Sequence, residues 1–388
     1  MFDLDRIRAE TPGSLHHVFL DSAGSSLPPT RVVDAEIAHL RREAEVGGYR
    51  AATERAADLA EVPRSLARVI GAADGTIALT DSATRAWNQF VAALPWAPGD
   101  RVLITATEYA SNALALLQRV HRDGISVEIV PSVPSGDVDL DALASMLDDR
   151  VRLVSLTHVP SNSGLINPVQ SVVELAHAHG ALVLLDACQS VGHLAIDAES
   201  LGIDALSASG RKWMRAPRGT GFLYVRPDLI ESLTPSAPDL RGGVWAAPDA
   251  YELVPDARRF ELWEASIAGR LGLGVAADLL LELGTQEVEL AILNRSQELR
   301  ERLRDARGVT LRDQGEKISG IVTFTLDGIP PSEVKLALER ADVTVSVSHA
   351  ASTLIDMRKR GLPSVVRASP HYFVTDEQLD QMVAALPR

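Results

Sequence analysis

Between residues 76 and 185 the chain alternates short apolar runs with stretches of helical periodicity. This alternation restricts the fold more than any other feature. Residues 76–80, 101–104, 126–130, 153–156 and 181–185 read as strands; 83–94, 110–121, 140–147 and 168–178 read as helices. The runs at 151–156 and 181–185 are apolar almost throughout. A strand wetted on one face would alternate polar and apolar residues. These runs must therefore be covered on both faces, as in a mainly parallel sheet sheathed by helices. The fold class expected is α/β. Ligands of such sheets sit beyond the carboxyl ends of the strands, so the residues after each run are where chemistry is expected.

Outside this region, residues 31–45 form a helical pattern that stops at Gly47-Gly48-Tyr49. A second pattern over 52–70 is expected to break or kink at Pro63. Residues 235–255 read as a loop rich in Pro, Gly and Ala, followed by helices at 265–283 and 287–306. The tail reads as strands at 320–326, 344–347 and 364–368 with helices at 331–341 and 376–386. The expected division is an N-terminal segment over 1–25 that joins the small domain and the active site, a large domain over 26–262, and a small α+β domain over 263–388.

A net charge of −14 argues against nucleic acid and against anionic membrane surfaces as partners. The single cysteine, Cys188, excludes an internal disulfide framework and a Cys-rich metal centre, and no metal is expected. The charged start Met1-Phe-Asp-Leu-Asp-Arg6 has no apolar core of a signal peptide, and no apolar run approaches the roughly 20 residues that span a bilayer. The expected location is the cytoplasm.

The stretch Ser207-Ala-Ser-Gly-Arg-Lys212-Trp-Met-Arg-Ala-Pro-Arg-Gly219-Thr-Gly221 presents a lysine in a Gly-containing turn, ahead of an apolar strand at 222–225. Lysines are usually solvated, but one set among small residues suits a nucleophilic amine that forms a Schiff base with a carbonyl. The carbonyl expected is the aldehyde of pyridoxal 5'-phosphate. Asp186 follows the apolar run 181–185, where a carboxylate is costly unless it meets a cation such as a protonated pyridine nitrogen; capping the next helix is the alternative role. Gln189 lies within reach of the ring hydroxyl. Thr80-Asp-Ser82-Ala83-Thr84 joins a strand to a helix, a place for the phosphate, with Ser209 and Arg211 as further contacts. Tyr109 could stack on the ring or simply cap the core, and Asn162 could bond the ring hydroxyl or substrate or simply shape a turn. Arg367, ending a strand of the tail, offers a fork for an α-carboxylate.

These motifs, taken in order from Ser82-Ala83-Thr84 to Arg367-Ala-Ser-Pro-His371, resemble class V PLP-dependent aminotransferases. That group includes cysteine desulfurases, isopenicillin N epimerase-like proteins and C–S lyases. The likeness runs from about Leu20 to the C-terminus. Glu43-Ala-Glu-Val-Gly-Gly-Tyr49, Arg211-Lys-Trp213 and Arg259-Phe-Glu-Leu-Trp-Glu-Ala265 bring it nearest to the hercynylcysteine sulfoxide lyase-like members. The resemblance implies PLP-dependent transferase fold type I, a homodimer with active sites near the subunit interface, and Lys212 as the residue bonded to the cofactor. It places Ala23 and Tyr49 with Arg367 at the substrate, and Asp186 and Tyr109 with Lys212 in catalysis. Trp263-Glu264 stands where many members have Gly-Thr, whose hydroxyl binds the neighbouring subunit's phosphate. Cysteine desulfurases also carry a cysteine on a mobile loop before the carboxylate-binding arginine, and residues 346–360 contain none. The expected reaction is C–S β-lysis of a cysteine S-conjugate or its sulfoxide to pyruvate and ammonia. Aminotransfer or epimerisation of a small amino acid begins with the same proton transfer, and an inactive binding protein is the reading from another class.

Overall fold

In the computed structural model, residues 3–387 are described; Met1, Phe2 and Arg388 lie outside them, so the expected N-terminal segment is described from Asp3. The strands in chain order are β1 (Val18–Phe19), β2 (Ile77–Thr80), β3 (Arg101–Thr105), β4 (Ser126–Val130), β5 (Val151–Thr157), β6 (Leu182–Asp186), β7 (Ala205–Ser209), β8 (Gly221–Val225), β9 (Gly243–Ala247), β10 (Ala250–Leu253), β11 (Val309–Leu311), β12 (Val322–Leu326), β13 (Val343–Thr344), β14 (Ser346–His349) and β15 (Ser364–Ala368).

Seven of these strands form the large sheet, in the order β2-β8-β7-β6-β5-β3-β4. The run from β4 to β7 is parallel, and β8 lies antiparallel between β7 and β2. Successive residues point to opposite faces of a strand, and both faces are dry here. Val102 and Ile104 of β3 join one apolar cluster with Trp87 and Phe90, while Leu103 between them joins the other. On β6, Leu184 belongs to the first cluster and Val183 and Leu185 to the second. The two-sided burial read from the apolar runs is therefore present, and with it a mainly parallel α/β sheet.

β7 was hidden in the sequence because Ser207 and Ser209 resemble a turn, yet every residue of the strand is buried. The stretch expected as a loop contains the β9–β10 hairpin, with Val244, Trp245 and Tyr251 exposed. The helical pattern beginning at 52 breaks at Arg55, between helices Gly48–Glu54 and Ala56–Val69, and not at Pro63. Pro63 stays inside the second helix because its neighbour Val62 is buried against the helix Ile267–Leu283.

That last helix also moves the expected domain boundary. It packs along helices Thr30–Val46 and Ala56–Val69 of the larger unit. Contact is close enough that a Cβ on Gly272 would sit 2.6 Å from Pro217 and one on Gly274 2.8 Å from Val62, so a larger residue at either would force a neighbour to move. From this packing we propose a start of the smaller unit at about Gly284, where the sequence suggests 263. The smaller unit holds the antiparallel sheet β11-β12-β15-β14, with helices Thr285–Asp305 and Pro331–Glu339 packed on it. The N-terminal segment reaches this unit through β1, which pairs with β13, and through a bridge from Asp21 to Ser369.

Candidate active site

A cavity of about 310 Å³ opens at the carboxyl ends of the large sheet. Its walls are the turns that follow β2 (Asp81 to Thr84), β3 (Thr107, Tyr109, Asn112), β5 (Val159, Ser161), β6 (Asp186, Cys188, Gln189) and β7 (Ser209, Arg211, Lys212). The parallel strands thus deliver most of the expected residues to one place.

Lys212 sits on a turn closed by Gly210 N–H to the Thr220 carbonyl and Arg215 N–H to the Lys212 carbonyl. A Cβ on Gly210 would lie 2.3 Å from Thr220 Oγ1, so only glycine fits there. Asp186 ends β6 and is 7% exposed. Its Oδ2 accepts from Asn112 Nδ2 at 2.9 Å and its Oδ1 from the Cys188 N–H at 3.0 Å. Both donors are neutral, and among the described residues no ion pair reaches Asp186. The bond from the Cys188 N–H is the capping contact of the alternative role, and it leaves the carboxylate without a cation.

Next to it lies a second carboxyl, Glu108, which sequence reasoning missed. Asn112 Nδ2 donates to Glu108 Oε1 at 2.9 Å, Ser155 Oγ to Oε2 at 2.7 Å and the Tyr109 N–H to Oε1 at 2.7 Å. Burial, reinforced by the charge of Asp186, pushes the Glu108 carboxyl up to about 7. The signal was a carboxyl following an apolar strand just before the helix Ala110–Asp123, whose first turn carries Asn112.

At the other end of the cavity, Ser82 caps the helix Ala83–Ala93 by accepting from the Arg85 N–H at 3.2 Å. The first N–H groups of this helix, Ala83 and Thr84, have no intrahelical acceptor and border the cavity with Ser209 and Arg218. The Arg211 guanidinium donates to the Gly24 carbonyl and lines the same wall. Tyr109 stands at the rim, 39% exposed.

Other expected residues are placed differently. Gln189 borders the cavity, but both ends of its amide are engaged: Nε2 donates to the Ala23 carbonyl and Oε1 accepts from Trp213 Nε1, each at 3.0 Å. It clamps the lysine turn to the N-terminal segment. Asn162 is buried outside the cavity wall and gives its Nδ2 to Asp356 Oδ2 at 2.6 Å; its neighbour Ser161 lines the wall instead. Arg367 lies behind that wall, with Nη1 3.5 Å from the Ser161 carbonyl, Nε donating to Ser346 Oγ at 3.0 Å and Nη2 to Asp21 Oδ1 at 3.1 Å. Ala23 is buried and does not line the cavity; its N–H donates to Ser369 Oγ at 3.0 Å. Tyr49, 83% exposed, is not in the cavity of its own chain.

The arrangement fits pyridoxal phosphate. Lys212 offers an amine, Asp186 is a buried carboxylate with no cation of its own, and a helix N-terminus faces the same space for a phosphate. Among the described residues there is no cluster suited to a metal ion, and no helix is long and apolar enough to cross a membrane.

The comparisons with known proteins agree with this fold. A family model described as aminotransferase class-V matches residues 18–382. A probable cysteine desulfurase of Methanothermobacter thermautotrophicus is 29% identical, covering 96% of this chain and 94% of the relative. A cysteine desulfurase of Pectobacterium atrosepticum is 28% identical, covering 100% and 98%. Among solved structures, the Escherichia coli cysteine desulfurase CsdA superposes with a TM-score of 0.91 at 22% identity, over 99% of this chain and 98% of that one. The cystine C–S lyase C-DES, in complex with its product cysteine persulfide, superposes with a TM-score of 0.87 at 24% identity, over 96% and 98%.

Proposed function

Because the chain belongs to the class V aminotransferase family, whose cofactor its cavity fits, we propose that it is a C–S β-lyase acting on a cysteine S-conjugate or its sulfoxide. Bound in the cavity, pyridoxal phosphate supplies an aldehyde for the substrate amine and a protonated ring that draws the electron pair from Cα. Asp186 would keep the ring nitrogen protonated, and Lys212 Nζ would take the proton from Cα. Arg367 would receive the α-carboxylate in place of Asp21, and Tyr109, at the rim, would stack on the cofactor. The Cβ–S bond then breaks, the thiolate or sulfenate leaves with the electron pair, and addition of water leaves pyruvate and ammonia.

The position of the single thiol carries this reading over a persulfide-forming desulfurase. Cys188 lies in the cavity wall between Asp186 and Gln189. Burial pushes its thiol up, which keeps it a protonated, weak nucleophile. Residues 346–360, the segment before Arg367, contain no thiol to carry sulfur away. A homodimer accompanies the proposal: a second copy would cover the exposed Tyr49, Trp245, Tyr251 and Trp263. The test is release of pyruvate and ammonia from S-substituted cysteines by the wild-type enzyme, and its loss in Lys212→Ala. Full turnover by that variant would remove Lys212 from the reaction.

A further inference from the structure

The segment that carries no thiol is ordered in its own way. A 3-10 turn, Ala350–Ser352, leads from β14 into the short helix Leu354–Lys359. The helix is fastened to the cavity wall: the Asp356 N–H donates to the Ala106 carbonyl at 3.1 Å, and the Asp356 carboxylate accepts from Asn162 Nδ2 at 2.6 Å and Arg360 Nη1 at 3.2 Å. The Thr353 N–H donates to the Ala350 carbonyl at 3.2 Å, and the Thr353 carbonyl accepts from the Met357 N–H at 3.1 Å.

Thr353 therefore has a fixed backbone at the junction of turn and helix. It lines the cavity and is 1% exposed, and its Oγ1 has no hydrogen-bond partner. Of the cavity-lining residues described, it alone has a buried side-chain polar atom left unpaired. A buried hydroxyl without a partner has lost its hydrogen bonds to water and gained none in return. A valine of nearly the same shape would avoid that cost, and a ligand atom that accepts or donates would offset it. The bond between Asp356 and Asn162 ties the segment of Thr353 to that of Ser161, whose carbonyl faces Arg367, and the strand before Thr353 supplies the Ser346 hydroxyl that holds Arg367. The unpaired hydroxyl thus belongs to the substrate end of the site.

We propose that Thr353 determines specificity: its hydroxyl hydrogen-bonds an oxygen or nitrogen on the sulfur substituent, so that the site selects a polar S-substituent over an isosteric apolar one. This rests on the substrate placement of the lyase reading, with the α-carboxylate on Arg367 and the amine on the cofactor aldehyde, and not on the fate of the Cβ–S bond.

The probes are S-(2-hydroxyethyl)cysteine and S-propylcysteine, which differ by one hydroxyl in place of a methyl. Their equilibrium affinities are measured on the cofactor-loaded Lys212→Ala protein with Thr353, Thr353→Val or Thr353→Ser. Thr353 should favour the hydroxyethyl compound about tenfold, Val should reduce the preference to near one, and Ser should restore it. The melting temperature of the cofactor-free Thr353→Val protein should equal or exceed that of wild type, because the hydroxyl has no partner inside the protein. A preference that survives in Val, an equal loss for both compounds, or a lower melting temperature in Val overturns the proposal. Pyruvate release by wild type reports on the reaction alone. A Thr353-dependent preference without pyruvate supports the proposal and defeats the lyase reading; pyruvate without that preference does the reverse.

Discussion

Arg367 holds the carboxylate of Asp21 at 3.1 Å, through the guanidinium that the sequence offered to a substrate carboxylate. The pair is mostly buried, with side-chain exposures of 11% and 23%. An amino acid entering the site must compete with Asp21 for this fork. Asp21→Asn keeps the shape and removes the rival charge, so KM should fall about fivefold, ~1 kcal/mol of binding, with kcat little changed. Arg367→Lys loses the planar fork and should raise KM by at least tenfold. Steady-state kinetics on one S-substituted cysteine checks both.

Asp186→Asn should lower kcat by about two to three orders of magnitude, because the ring nitrogen loses the charge that keeps it protonated. The cofactor-free variant should change stability by only about 1 kcal/mol, since relief of a buried charge with neutral partners offsets the hydrogen bond lost where the new NH2 meets a donor. Urea unfolding of the cofactor-free proteins separates the two effects.

Glu108 makes stability depend on pH in a predictable direction. Its folded-state carboxyl titrates at about 7, against an ordinary 4.5. Between these values the folded protein keeps a proton that the unfolded chain has released. The contribution is complete below about 4.5 and is lost as pH rises toward 7. Glu108→Gln should flatten the fall in stability of the cofactor-free protein between pH 5 and 7.5 by about 2 kcal/mol. Urea unfolding at both pH values is the measurement.

His193 acts with the opposite sign. Its ring stacks on Trp213 at 4.1 Å, accepts from the Gly320 N–H at 2.7 Å through Nε2 and contacts the Gln189 carbonyl at 2.9 Å through Nδ1. These partners require the neutral tautomer with the proton on Nδ1. Burial brings the ring down to about 3 from its ordinary 6.5, so its contribution is complete above 6.5 and is lost as pH falls toward 3. His193→Asn should lower the melting temperature at pH 7.5 and lose less on acidification to pH 5 than wild type does.

The large sheet was legible because burial on both faces leaves a mark in the sequence, as in the apolar run before Asp186. The cavity is legible because parallel strands deliver the residues at their carboxyl ends to one place, as for Asp186 and Tyr109, while Lys212 and Ser209 are marked by the Gly-containing turn. β7 escaped notice because its serines are buried and polar, a combination that only tertiary packing explains. The sequence groups the helix Ile267–Leu283 with the smaller unit, because Gly272 and Gly274 mark close contact without naming the partner. Asn162, Gln189 and Arg367 were read as free to meet a ligand. Their engagements with Asp356, Trp213 and Asp21 link residues far apart in the chain, which no local pattern reveals.

The central claim is tested most directly by the products of repeated turnover on an S-substituted cysteine without added acceptor. The account predicts pyruvate and ammonia in equal amounts, continuing through many turnovers, with the thiol or sulfenate as the third product. Alanine accompanied by protein-bound or released sulfur would contradict it and assign the chain the persulfide chemistry of a desulfurase.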